Sequence, residues 1–144
     1  MMFRWRGVGA SCSSTIMLIP RYAQAEAKKV GLPFKQSWLT DDPQYNLRLG
    51  RGFLDDLVDS FGGSYILAAA AYNAGPSRAR QWINDFGDPR GEVDPVDWIE
   101  SIPFAETRNY VQRVLENTQV YRHRLAGTSV DIQLSDDLRR GRPR

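Results

Sequence analysis

The sequence predicts an all-α domain of about six helices with no substantial sheet. Apolar residues recur at spacings of three and four in the longest uninterrupted segment, and glycine and proline divide the rest into helix-length pieces. No segment alternates apolar and polar residues as a half-buried strand does. A chain of 144 residues is long enough to form one domain around a single core.

The first half of the chain contains two predicted helices. Residues 21–30 are rich in Ala, Lys, Glu and Gln, with Pro20 suited to a first helical turn and Gly31 to a C-terminal cap. A second helix begins after Asp42, which is placed to cap it, with Pro43 at its first position. Large apolar residues at helical spacing form its buried face: Tyr45, Leu49, Phe53, Leu54, Leu57, Val58 and Phe61.

The third predicted helix runs from Tyr65 to Ala74, with Ser64 as its N-cap. It is apolar on nearly every side, so we expect it to be the central helix, and its alanines allow close packing. A fourth helix spans 77–86 and a fifth spans 95–102. The last spans 105–125 and carries a stripe at spacings of three and four: Val111, Val114, Leu115, Thr118, Tyr121 and Leu125.

The two ends differ from this pattern. We expect residues 17–126 to be the helical domain, residues 1–16 to be non-native-looking or disordered, and residues 127–144 to be a disordered basic tail. Four of the last six residues are arginines, which could contact an anionic polymer, although a solvated tail is the simpler explanation.

Composition excludes several classes of function. The net charge of +2 is too small to indicate a nucleic-acid-binding surface. No apolar run reaches the ~18 residues of a membrane span. One cysteine (Cys12) and one histidine (His123) exclude an intrachain disulfide, a cysteine zinc site and a histidine cluster. We therefore expect no metal, no cofactor, no nucleic-acid partner and no membrane span.

A polar pair ends the otherwise apolar third helix, in the segment Tyr72-Asn73-Ala74-Gly75-Pro76. Tyr72 supplies a hydroxyl and Asn73 an amide, each able to donate and accept, and Gly75 allows close approach of a ligand. These groups suit a ligand rich in hydroxyl or amide groups. Alternatively, Asn73 caps the helix and Tyr72 is a core aromatic.

A second candidate site lies in the first turn of the last helix, which contains Glu106 and Arg108. The alternative is structural, because the helix dipole favours an acid there and Arg108 could simply pair with it. The chain also has four tryptophans that could stack on sugar rings: Trp5, Trp38, Trp82 and Trp98. In a small helical domain such residues more often fill the core.

Four segments, in order, resemble the catalytic domain of soluble lytic murein transglycosylases, a helical domain with a goose-lysozyme-like fold. They are Leu18-Ile19-Pro20, the stretch from Trp38 to Gly50, Tyr72-Asn73-Ala74-Gly75-Pro76, and the stretch from Trp98 to Val111. The resemblance covers residues 18–125 and implies a lysozyme-like fold for them.

The resemblance also implies a reaction on peptidoglycan glycan strands. The family cleaves the β-1,4 bond between MurNAc and GlcNAc with formation of 1,6-anhydromuramic acid, using one glutamate as acid and then base. By the same resemblance, Tyr72 lies near the glycosidic bond, Asn73 braces that loop, and Glu106 lines the cleft. Met17 stands at a cleft position where the family has a glutamine.

The family's catalytic glutamate lies in an E-S-x-F segment, which its spacing from Pro20 places at or before Met1. No Asp or Glu precedes Glu26 in this chain. We therefore expect no catalytic residue and little or no catalysis, with a non-catalytic glycan-binding module as the alternative. The poor fit before Ile16 predicts that residues 1–15 are not native domain sequence, and that the chain is a remnant of a longer transglycosylase.

The family implies the periplasm or cell envelope. The apolar run at residues 15–19, which lies after Arg6, has about five residues. A secretory signal needs ~7–15, and Pro20 follows this run directly. This chain shows no export signal, so we expect it in the cytoplasm if it is expressed as printed. We also expect a monomer.

Overall fold

The computed structural model describes residues 20–141. Within them the backbone forms eight α-helices and no strand. The helices in chain order are α1 (Pro20–Lys29), α2 (Trp38–Asp41), α3 (Pro43–Ser60), α4 (Tyr65–Ala74), α5 (Pro76–Phe86), α6 (Pro95–Ser101), α7 (Ala105–Ala126) and α8 (Leu134–Leu138). The all-α prediction is confirmed, with α2 and α8 added to the six expected helices.

The chain divides into two compact units, Met1–Gly50 and Arg51–Arg144. In the described part of the first unit, the Asp42 carboxylate accepts hydrogen bonds from the backbone N–H groups of Gln44 and Tyr45, both at 3.0 Å. This is the N-cap that the sequence predicts for α3. The Asn46 amide donates to the Leu39 carbonyl at 2.7 Å and joins α3 to the short α2.

Helix α4 is the centre of the second unit. Six successive residues, Ile66 to Ala71, are buried, and α4 packs against α5 and α7. The Ser64 hydroxyl caps α4 by accepting from the Leu67 N–H at 3.4 Å. Around it lies one apolar core: Leu57, Phe61, Ala79, Trp82, Trp98, Ile99, Ile102, Val111 and Leu115. Two of the tryptophans are therefore core residues, as the simpler explanation predicts.

The prediction of a disordered tail over 127–144 is wrong for its described part. Helix α8 forms there, and the side chain of Asp137 in it is 2% exposed. The carboxylate accepts from Arg122 Nη2 at 2.9 Å and from Gln119 Nε2 at 2.7 Å, both on α7. The Arg140 guanidinium also donates to the Tyr65 hydroxyl at 2.6 Å. These hydrogen bonds and the ion pair hold the segment in place. The low apolar content of residues 127–144 does not predict them.

Two further predictions concern residues outside the described part of the chain, namely the segment 1–16 and Met17. Among the helices of residues 20–141, none combines the length and apolar character needed to cross a bilayer.

Candidate functional site

The site is built where α4 ends and the chain turns into α5. Tyr72 and Asn73 lie in the last turn of α4, and Gly75 is both its C-cap and the N-cap of α5. Gly75 has φ 101°, a conformation that L-residues with a Cβ rarely adopt, so glycine is required at this turn. Pro76 then starts α5 at a position where its missing N–H costs nothing.

Asn73 joins this turn to the start of α7. Its Oδ1 accepts a hydrogen bond from Thr107 Oγ1 at 2.6 Å, and Thr107 is buried. The alternative in which Asn73 caps α4 is wrong, because Gly75 holds that position and the amide side chain points to α7 instead. The amide Nδ2 has no hydrogen-bond partner among residues 20–141 and is half-buried. It is therefore a free donor.

Tyr72 lies between two other aromatic rings. Its ring centroid is 5.5 Å from that of Phe53 and 6.4 Å from that of Tyr110, with which it is nearly parallel. The Tyr72 hydroxyl is buried and has no hydrogen-bond partner within the described residues. Burial, and to a smaller extent Tyr110, raises the pKa of Tyr72 well above its ordinary value. The group is thus a neutral phenol with an unused donor and acceptor.

Glu106 lies in the first turn of α7, next to Thr107 and one helical turn before Tyr110. It is exposed and forms no ion pair or hydrogen bond with the rest of residues 20–141. Its pairing with Arg108, one of the alternatives above, is not observed, because Arg108 Nη1 lies 3.6 Å from Glu100 Oε2. The Glu106 carboxylate is therefore an open acceptor on the residue that precedes Thr107 in α7.

Three residues of this site were missed by sequence reasoning. Thr107 holds Asn73, while Phe53 and Tyr110 flank the Tyr72 ring. The sequence could have identified Tyr110, because it follows Glu106 by four residues and therefore lies on the same face of the helix. Nothing in the sequence links Asn73 to Thr107, which are 34 positions apart.

The sequence of this chain matches that of known proteins over both segments of the site. Residues 15–94, which include Tyr72 and Asn73, match the family described as the transglycosylase SLT domain. The chain belongs to the SLT transglycosylase family. Residues 101–129, which include Glu106, match the soluble lytic transglycosylase helical domain.

Sequence relatives support the same assignment. The soluble lytic murein transglycosylases of Salmonella typhimurium and Escherichia coli K12 are each 38% identical to this SLT chain over 117 residues. That alignment covers 81% of this chain and 17% of each relative, so the chain spans about a sixth of their length.

Two solved structures share the fold. The first is an inactive glutamate-to-glutamine mutant of the lytic transglycosylase Slt from Pseudomonas aeruginosa, with a TM-score of 0.65 and 40% identity over 79% of this chain and 18% of that one. The second is the 70 kDa soluble lytic transglycosylase from Escherichia coli, with a TM-score of 0.71 and 34% identity over 88% of this chain and 20% of that one. The predicted lysozyme-like all-α fold class is confirmed.

Proposed function

We propose that this SLT chain binds the glycan strands of peptidoglycan through Tyr72, Asn73 and Glu106, and that its 144 residues do not cleave them. The observation that carries the proposal is the buried hydroxyl of Tyr72, which has no partner among residues 20–141. An unpaired buried hydroxyl costs about 1–3 kcal/mol, a cost that a ligand hydrogen bond would remove.

The three free groups match the chemistry of an acetylated amino-sugar strand. The Asn73 Nδ2 can donate to an acetamide carbonyl. The Tyr72 hydroxyl is closed to solvent in the free chain and can donate to a ring or glycosidic oxygen once the glycan displaces what covers it. The exposed Glu106 carboxylate accepts from sugar hydroxyls. Because Thr107 hydrogen-bonds to Asn73 and two rings flank Tyr72, the fold fixes the orientation of both side chains.

Cleavage is a separate matter, because the family reaction needs a protonated glutamic acid next to the glycosidic oxygen. An apolar pocket is what keeps such an acid protonated. Glu106 is exposed, and no carboxylate hydrogen-bonds to Tyr72 or Asn73 within residues 20–141. The sequence has no acidic residue before Glu26. We therefore assign substrate contact to Glu106, and no catalytic acid to the described residues 51–141.

The second candidate is lytic transglycosylase activity itself, which the family favours. In that case the MurNAc–GlcNAc bond would be cleaved and the C6 hydroxyl of muramic acid would close a 1,6-anhydro ring. This candidate requires an acid that the described site lacks. Both candidates place the protein in the cell envelope, where murein is found.

Incubation of the purified chain with murein sacculi separates these functions. We expect the chain to co-sediment with sacculi and to release no soluble 1,6-anhydromuropeptides, as measured by mass spectrometry. The Glu106→Gln variant should bind more weakly, whereas Glu116→Gln, an exposed control ten positions further along α7, should bind normally. Release of anhydromuropeptides would establish the second candidate, and absence of both co-sedimentation and release would exclude both.

A further inference from the structure

An arginine beside the proposed glycan surface is held against an aromatic ring. The Arg78 guanidinium carbon lies 4.6 Å from the centre of the Phe104 ring. The Phe104 ring meets the buried Trp82 edge to face, with centroids 5.6 Å apart. Phe104 is 40% exposed, so the stack lies at the surface with a fixed base beneath it.

The Arg78 guanidinium has no carboxylate partner among residues 20–141. Four other arginines of this part of the chain each lie within 4 Å of a carboxylate: Arg51, Arg90, Arg108 and Arg122. Stacking fixes the plane of the guanidinium and leaves its N–H groups free to point outward in that plane. This arrangement suits bidentate binding of a carboxylate.

The stack connects the same two segments as the Asn73–Thr107 bond. Arg78 follows Pro76 by two residues in the first turn of α5, and Phe104 precedes Glu106 by two residues as the N-cap of α7. An anion bound to Arg78 would therefore lie next to a strand that contacts Tyr72 and Glu106. In a murein strand, only muramic acid carries a carboxylate-bearing substituent, whereas N-acetylglucosamine carries none.

We propose that Arg78 binds the carboxylate borne by the muramic acid substituent and so fixes which of the two alternating sugars lies beside Tyr72. The inference rests on the proposed function. The carboxylate is that of the lactyl group in strands without peptide, or one on the peptide where the lactyl carboxyl is amide-linked to it. Phe104 holds the guanidinium in place, and Arg78 supplies specificity for substituted strands over plain N-acetylglucosamine chains.

The test measures dissociation constants for three soluble ligands: peptide-bearing murein strands, strands stripped of peptide by an amidase, and chito-oligosaccharides without any carboxylate. Arg78→Ala should weaken binding of carboxylate-bearing strands at least about fivefold and leave chito-oligosaccharide binding within about twofold. Loss confined to stripped strands identifies the lactyl carboxylate, which is free only there because in intact strands the lactyl carboxyl is amide-linked to the peptide. Loss confined to peptide-bearing strands identifies a carboxylate of the peptide, and loss on both shows that Arg78 binds either one.

Two variants complete the design. Arg78→Lys keeps the charge without the planar donors and should give an intermediate loss. Arg80→Ala is the matched control, because Arg80 lies on the same helix and stacks on a different ring, that of Phe61, at 5.4 Å. A thermal melt verifies that each variant folds.

Two results overturn the inference. If Arg78→Ala binds carboxylate-bearing strands as Arg80→Ala does, or loses chito-oligosaccharide binding equally, the inference fails while the proposed function stands. If the wild-type chain binds none of the three ligands, the proposed function fails and the inference fails with it.

Discussion

At the scale of single residues, the ring and the hydroxyl of Tyr72 have different environments. Its ring is packed between Phe53 and Tyr110, while its hydroxyl is buried without a partner in residues 20–141. The ring therefore contributes to stability and the hydroxyl does not. We expect these two roles to separate when the oxygen alone is removed.

Tyr72→Phe should leave the free energy of unfolding unchanged or raise it by about 1 kcal/mol, because it removes an unsatisfied buried hydroxyl. The same change should weaken binding of glycan strands about fivefold, since the hydroxyl is the proposed donor. Urea unfolding and a binding titration measure the two effects. Tyr121→Phe, at a 60% exposed position, is the control for both. A loss of stability without a loss of binding would contradict the role of Tyr72.

Thr107 differs from Tyr72 because its hydroxyl forms a hydrogen bond that stabilises the fold. Thr107→Val keeps the shape of the side chain but leaves Asn73 Oδ1 without its donor, so we expect a loss of about 1–2 kcal/mol in unfolding free energy. Glycan binding should fall as well, because Asn73 is no longer held. Thr107→Ser retains the hydroxyl and should restore most of both. Unfolding and binding of Thr107→Val equal to wild type would show that the bond has no role.

The sequence identifies the free groups of the site but not the contacts that hold them. Tyr72, Asn73 and Glu106 could be selected because unusual polar residues stand at helix ends, and because their segments resemble a family. The Asn73–Thr107 bond and the Arg78–Phe104 stack depend on how α4, α5 and α7 pack. No local pattern specifies such tertiary pairs.

At the scale of elements, α4 shows why a helix of small residues belongs at the centre. Ala70 is fully buried, and α4 packs against both α5 and α7. Ala70→Leu should therefore lower the free energy of unfolding by about 1–3 kcal/mol, as expected for overpacking. The control Ala126→Leu lies at the exposed end of α7 and should have little effect. Chemical denaturation measures both, and equal stability of the two variants would contradict the packing.

Helix α8 carries an ion pair with a buried carboxylate, and this makes its contribution to stability depend on pH. Burial raises the pKa of Asp137, but hydrogen bonds from Arg122 and Gln119 more than offset this, so its pKa lies below the ordinary value. A depressed acid pKa stabilises the fold above the unfolded value of about 3.9, and this contribution is lost as the pH falls further.

Asp137→Asn should therefore lower the unfolding free energy by about 2 kcal/mol at neutral pH, with the difference from wild type shrinking below pH ~4. Thermal or urea unfolding at several pH values measures this. Asp136→Asn is the matched control, because Asp136 is the exposed neighbour in the same helix. A difference that persists unchanged at pH 2–3 would contradict the ion-pair account.

The elements differ in how far the sequence predicts them. Helix α4 spans Tyr65–Ala74 as the sequence predicts, and the capping role of Ser64 follows from local chemistry, whereas the C-cap is Gly75 and not Asn73. Helices α2 and α8 have only four and five residues, too few to show a periodic pattern. Helix α8 is held by a carboxylate–guanidinium pair between residues 15 positions apart. The spacing of apolar residues cannot predict such a pair.

At the scale of the whole molecule, family and activity are separate questions for this chain. It belongs to the SLT transglycosylase family and shares the fold of solved lytic transglycosylases. Among the described residues, the Tyr72 hydroxyl and the Asn73 Nδ2 have no hydrogen-bond partner, and no carboxylate hydrogen-bonds to Tyr72. Binding of glycan strands is the function that we propose for these groups.

The most direct test of this account is to map the glycan contact by NMR, titrating ¹⁵N-labelled chain with soluble murein strands. We expect the largest shift changes at Tyr72, the Asn73 side-chain amide and Glu106, with α8 unaffected and the strands intact after the titration. Changes confined to α8 and the facing side of α7, or anhydromuropeptides in the sample, would contradict the account.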